Sequence, residues 1–193
     1  MAIIIPADVT IVTLRVGERE LPQRWAVEHA VAVLRHASDL LRSRADIEFP
    51  LGTCRPALEA MPPGGAIDAI DEAGYDCLAA AHRAGDGVQV LLVDRVAPAE
   101  VGAQSGQHTR VCAIAYGPDV GATSRTLAHG LGHLLALPHV DTGRRAESGS
   151  PEQLAAWTRN LMYSGALSRS PVLTHTQVQA ARSSPLARRF GGR

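Results

Sequence analysis

Three of the chain's eight histidines fall in one short segment, Leu127-Ala-His-Gly-Leu-Gly-His-Leu-Leu-Ala-Leu-Pro-His139. His129 and His133 are four positions apart, so a helix sets both on one face, a turn from each other, where they can hold one metal ion. Pro138 is ill suited to a helix interior and makes the chain leave its helical path, which lets His139 swing back towards the other two. Three neutral imidazoles at about 2.0–2.1 Å leave a tetrahedral Zn2+ with one open position, the arrangement of a catalytic rather than a structural site. A single His-x-x-x-His pair arises easily by chance, so the third histidine at its offset carries the weight of this reading.

Asn160-Leu161-Met162-Tyr163 follows about twenty residues later. Together, HGLGHLLALPH and NLMY resemble the metzincin clan of zinc metallopeptidases, whose long motif is His-Glu-x-x-His-x-x-Gly-x-x-His followed by a methionine-containing turn beneath the metal. The Leu-Pro-His ending is especially similar to matrixin-type and related bacterial members. The motif resemblance spans roughly residues 123–164, and the order of strands and helices around it matches the clan's. It implies His129, His133 and His139 as zinc ligands and Met162 as an apolar floor beneath them. Asn160, the chain's only asparagine, would hydrogen-bond the backbone of the turn, a structural role. Tyr163 directly follows the methionine, whereas members that use a tyrosine as an extra ligand place it one residue later. Tyr163 is therefore read as a substrate-side residue.

The sequence departs from the clan's motif at two positions. The glutamate that serves the family as general base is replaced by Gly130, and the glycine that lets the active-site helix turn sharply is replaced by Ala136. Losing a positioned general base typically costs about 10²–10⁴-fold in rate, and an alanine forced into a left-handed conformation costs about 1 kcal/mol or more. Two altered positions favour natural divergence over an engineered inactive mutant. Three histidines alone can still lower the pKa of a zinc-bound water to about 7. Asp141 is the nearest substitute base in sequence, with orientation of the ligand turn as its competing role. Glu147 and Glu152 lie in the loop that follows. His175, His29 and His36 are read as packed or solvated.

In the clan a strand just before the active-site helix borders the cleft and pairs with extended substrate. The resemblance implies this role for the edge strand Arg110, Val111, Cys112, Ala113, Ile114, Ala115 and Tyr116, through main-chain hydrogen bonds to a peptide-like ligand.

The elements that must position these residues follow from periodicity. Val9 to Val16 reads as a first strand, and apolar spacing predicts a long helix from Pro22 to about Arg44. Ile47 to Pro50 reads as a short strand, and Thr53 to Gly87 as a Pro/Gly-interrupted stretch with one helix near Asp76 to Ala84. Val88 to Asp94 reads as a central buried strand and Arg110 to Tyr116 as another. The histidine helix is expected to be capped by Thr123 or Ser124 and to run through Leu135. Pro138 to Ser170 reads as irregular, with a last helix from about Thr174 to Ser184 and a frayed tail from Arg188. These elements imply one α/β (α+β) domain over residues 1–193: a twisted mixed sheet with two long helices through residue 139, then an irregular half with the methionine turn and a C-terminal helix.

Composition narrows the function. With 193 residues, zero net charge, 46% hydrophobic and 20% charged residues, the chain reads as globular rather than disordered. The charge balance and 4% aromatics argue against nucleic acid as a partner. All 19 basic residues are arginine, which excludes Schiff-base chemistry and a Walker-type phosphate loop and reflects a GC-rich bacterial genome. Cys54, Cys77 and Cys112 form neither a disulfide framework nor a zinc knuckle by spacing. No segment approaches the ~20 apolar residues of a membrane span. The N-terminus lacks a basic, apolar leader, so the expected location is cytoplasmic unless a leader has been removed.

The leading functional reading is a zinc enzyme diverged from metallopeptidases. It would use the metal as Lewis acid or hydroxide source on an amide, ester or carbonyl substrate, peptide-like or small, in a setting such as a biosynthetic tailoring step. The alternatives are a peptidase with a substitute base, Asp141 or a loop glutamate, and an inactive peptide-binding relative of proteases. Oligomeric state is not legible.

Overall fold

A computed structural model describes residues 1–60, 69–97, 103–141, 150–165 and 169–191. Its centre is the strand pair β2 (Ala7–Val16) and β6 (Val88–Val93), which run parallel. Parallel β5 (Leu51–Ala60) lies on the other side of β2, and parallel β8 (Val111–Ala115) continues the sheet beyond β6. Among the described residues the antiparallel strand β7 (Ala103–Gly106) ends it beside β8, while β3 (Arg19–Glu20) folds back on the end of β2. A short parallel ladder of β1 (Ile3–Ile4) and β4 (Ile47–Glu48) precedes this sheet. It is joined to the β2–β5 pair by the bonds Ile5 N to Glu48 O and Ala7 N to Pro50 O, both 2.9 Å. The result is a mixed α/β architecture, as the strand and helix patterns imply.

Parallel strands need crossovers, and the helices provide them on both faces. α1 (Val27–Ala45) buries Ala30, Val33, Leu34, Ala37, Leu41 and Ala45 at helical spacing, and ends where Asp46 adopts a left-handed φ of 56°. It starts five residues later than Pro22 because the preceding chain is extended. There Trp25 is buried, its indole Nε1 donating to Val93 O at 2.8 Å. α3 (Val120–Leu134) packs beside α1 on the same face. α2 (Glu72–Ala81) covers the opposite face and is capped by Asp71, whose carboxylate accepts from Gly74 N. Alternate residues of the central strands therefore enter two cores. Val90, Leu92, Cys112 and Ile114 join the α1–α3 side, while Leu91, Val93, Val111 and Ala113 join Tyr75 and Leu78 of α2. This two-sided burial is why β6 reads as an unbroken apolar run.

Three parts of the sequence reading need correction. β5 occupies the start of the stretch read as Pro/Gly-interrupted. It forms because Leu51 and, after a register shift at Gly52–Thr53, Cys54 to Ala60 find ladder partners on β2, although Pro56 and its mostly exposed side chains hide the pattern. α4 (Pro151–Thr158) lies inside the stretch expected to be irregular, started by a capping box between Ser150 and Gln153. The tail forms α6 (Pro185–Gly191), which buries Leu186 and Ala187 directly after α5 (His175–Ser183). All three cysteines are free, and burial pushes the Cys112 thiol up to about 12. No helix among the described residues is long and apolar enough to cross a membrane.

Candidate metal centre

α3 is capped not by Thr123 or Ser124 but by Asp119, whose carboxylate accepts from Ala122 N at 2.6 Å. The two hydroxyls instead donate backwards, Thr123 to Gly117 O and Asp119 O and Ser124 to Val120 O, so both residues lie inside the helix. At the other end Ala136 N donates to His133 O at 2.9 Å and Leu137 N to Gly132 O at 3.0 Å. This is the bond pattern of a Schellman cap, which needs a left-handed residue, and Ala136 supplies it at φ 64°. Ala136→Gly is accordingly expected to stabilise the protein by about 1 kcal/mol, or roughly 2–4 °C in Tm. A melting curve checks this, and an unchanged or lower Tm would refute the strain.

This reversal of the chain brings the third histidine back. The three Nε2 atoms form a triangle: His129 to His139 is 3.1 Å, His129 to His133 is 3.0 Å and His133 to His139 is 2.9 Å. His129 Nδ1 donates to Leu161 O at 2.7 Å and His133 Nδ1 to Leu137 O at 2.8 Å. With Nδ1 carrying the proton, the Nε2 atoms of these two rings are bare lone pairs. Lone pairs held face to face at such distances repel unless a cation lies among them. Tetrahedral zinc at 2.0–2.1 Å would separate its nitrogens by about 3.3 Å, so the rings need open by only a few tenths of an ångström. The donor set fits Zn2+, and this is the only group of potential metal ligands of its kind among the described residues.

Burial dominates the acid–base behaviour here. It pushes the His129 imidazole down to about 4, with the neighbouring rings adding to the effect and the Leu161 carbonyl opposing it; burial also lowers His133, with the Leu137 carbonyl opposing and His139 adding. The unfolded His129 takes up a proton near 6.5 and the folded one only near 4. Between those values the unfolded state holds more protons, so stability is fully present above pH 6.5 and is lost as pH falls towards 4. Metal-free protein should therefore show a urea midpoint that drops across this window. His129→Gln should flatten the dependence, and equal slopes in the two proteins would contradict it.

Met162 is fully buried against α3, where a Cβ built at Gly132 would lie 2.5 Å from its Sδ. The bare backbone of Gly132 is what admits the thioether. Asn160 Oδ1 accepts from Met162 N at 2.9 Å, closing the turn. The segment after His139 is stitched to the same turn by Val140 N to Met162 O at 2.9 Å and by Asp141, whose carboxylate accepts from Ser164 N at 3.2 Å and from the Ser164 hydroxyl. Burial alone would raise the Asp141 carboxyl, but the Ser164 bonds outweigh it and hold it below its usual value. Asp141 is thus placed to orient the ligand turn, and its depressed pKa makes it a weak base.

The other candidates are dispersed. Gly130 is buried on α3. Tyr163 is buried and stacks on Trp157 with ring centroids 6.4 Å apart. Glu152 accepts from the Ser150 hydroxyl at the start of α4, and Glu147 lies outside the described residues. His29 bonds Gly117 O, His36 is exposed and His175 pairs with Gln179, so none joins the cluster. The expectation that Arg110 to Tyr116 forms an edge strand is overturned, because β8 is hydrogen-bonded on both sides and β7 holds the edge. A strand whose amides are already paired has none left for substrate. Within the segment, Cys112 and Ile114 face one core and Val111 and Ala113 the other. Arg110 spends its guanidinium on the carbonyls of Ala84, Gly85, Asp86 and Gly87. Tyr116 packs edge-on against Trp25 under Arg24. The carbonyls of Leu137 and Leu161, and Ser164, escaped the sequence reading, since a backbone acceptor leaves no signature in residue type.

Solved structures that share the fold include the following two. An archaemetzincin from Methanopyrus kandleri is 14% identical, with a TM-score of 0.58 over 91% of this chain and 93% of that one. A zinc-dependent peptidase from Methanocorpusculum labreanum is 13% identical, with a TM-score of 0.52 over 91% of this chain and 99% of that one. No family model and no curated protein matches the sequence. The chain has a zinc metallopeptidase-like fold.

Proposed function

We propose that this protein is a zinc metalloenzyme of peptidase type, acting on the amide, ester or carbonyl group of a peptide-like substrate. The observation that carries it is the Nε2 triangle of His129, His133 and His139, with two of the three rings locked by carbonyls in the tautomer that leaves Nε2 bare. Bound there, zinc would supply Lewis-acid polarisation of a carbonyl and acidification of a coordinated water.

The rest is the work of the chain's own residues. Leu161 and Leu137 orient two imidazoles, and raise their basicity, through the Nδ1 bonds. Met162 closes the floor against Gly132 and keeps water from that side. Asp141 and Ser164 hold the stretch after His139 against the methionine turn. The edge strand β7, paired on one side by β8, has its other edge available for main-chain bonds to an extended substrate among the described residues. Gly130 offers no side chain at the position where the metzincin motif has its base. The reaction best suited to this site is therefore one whose substrate needs no strong protein base. A biosynthetic tailoring step on a peptide-like compound is such a case, and ordinary proteolysis the less suited one.

The test is zinc content by mass spectrometry on protein purified without added metal, followed by hydrolysis assays on peptide and ester substrates with and without chelator. Close to one zinc per chain and a chelator-sensitive reaction are expected. Wild-type protein without metal would sink the reading.

A further inference from the structure

The carbonyl that orients His129 is itself held from the C-terminal part of the chain. Leu161 donates its amide to Val172 O at 2.8 Å, and Val172 N donates to Arg159 O at 2.7 Å, so residue 172 grips the chain on both sides of Asn160. The Asn160 side chain then forms a reciprocal amide pair with Gln177 of α5. Asn160 Nδ2 donates to Gln177 Oε1 at 2.9 Å, and Gln177 Nε2 donates to Asn160 Oδ1 at 3.2 Å. Both ends of the pair are fixed by backbone donors, Met162 N on Asn160 Oδ1 and Thr174 N on Gln177 Oε1, each at 2.9 Å. Rotating either amide would set two donors against each other. Asn160 is buried, so an unpaired amide there would be costly.

We propose that Gln177 is a positioning residue for the metal centre: it fixes the Asn160 amide, and with it the turn that presents the Leu161 carbonyl to His129, so that His129 Nε2 stays bare towards the metal. This rests on the zinc-binding reading above. Gln177 acts through Asn160 and the turn, and its separate duty in the α5 capping box with Thr174 supplies the control.

Thr174→Ala removes the hydroxyl that caps α5 and that also donates to Gln177 Oε1 at 3.2 Å, but leaves both bonds of the Asn160–Gln177 pair and the Thr174 N bond in place. Gln177→Ala removes the pair, and Gln177→Glu keeps the acceptors for Thr174 N and Asn160 Nδ2 but loses the donor to Asn160 Oδ1. Zinc affinity is measured on the full chain by chelator competition, and the His129 tautomer by side-chain nitrogen NMR of metal-free protein. Thr174→Ala is expected to stay within about twofold of wild type in affinity, with Gln177→Ala about 10–100-fold weaker and Gln177→Glu in between. Only the Gln177 variants should lose the single Nδ1–H tautomer. If Gln177→Ala does not fold, Gln177→Glu decides, because it retains the capping acceptor. Affinity and tautomer in the Gln177 variants equal to those of Thr174→Ala would overturn the proposal. If wild type takes up no zinc, the functional reading falls, while the tautomer comparison still decides the role of Gln177.

Discussion

Protein carrying His133→Ala is expected to retain less than about a tenth of the zinc of wild type and to melt roughly 5–15 °C lower. The loss of metal follows from geometry. His133 Nε2 lies within 3.0 Å of both other Nε2 atoms, so two nitrogens are left where three converge. The melting shift follows from linkage, since a ligand at 100–1,000 times its Kd stabilises the folded state by about 2.7–4.1 kcal/mol, and a domain of this size gains about 2–4 °C per kcal/mol. Wild type stripped by a chelator should fall to within a few degrees of the variant. That control separates the metal's contribution from the packing lost with the imidazole. A variant that keeps full zinc occupancy would show that the triangle is not the binding site.

Gly130→Glu is expected to raise hydrolysis of generic peptide substrates by about 10²–10⁴-fold, the usual worth of a positioned general base. Residue 130 is on α3 between His129 and His133, one residue after the first histidine, where the metzincin motif places its glutamate. The backbone favours the change, because glycine inside a helix costs about 1 kcal/mol against better helix formers. Gly130 is buried, so a drop in Tm would report crowding separately from chemistry. Peptide turnover at the wild-type level in a folded, zinc-loaded variant would show that the cleft no longer accepts peptides. Loss of a native reaction on the same change would assign the space beside Gly130 to substrate.

How much of this was legible depended on distance along the chain. Central strands β6 and β8 and the α3 face could be read because burial on two sides, or on one helical stripe, is written in consecutive residues. β5 escaped because an exposed strand carries no apolar alternation and Pro56 argues against one; only its ladder with β2 makes it a strand. β7 escapes because Ala-Gln-Ser-Gly carries no apolar alternation, and with it the edge of the sheet, which the sequence alone assigns to the neighbouring strand. The start of α1 slipped because Trp25, apolar and helically spaced, reaches across to Val93 rather than joining the helix.

By itself the sequence determined the donors: three histidines at four- and six-residue offsets around a proline. Those are local properties of residue type and helical pitch, whereas the roles read for Met162 and Gly130 rest on the resemblance to the metzincin motif. Tertiary structure alone decided the chemistry of the donors. Which nitrogen of His129 is bare depends on the Leu161 carbonyl 32 residues away, and the Asn160 amide is oriented from Gln177 a further 17 residues along. It also decided that Asp141 is spent on Ser164. Hydrogen bonds to distant backbone are made by groups every residue carries, so they exist only once packing has brought the segments together.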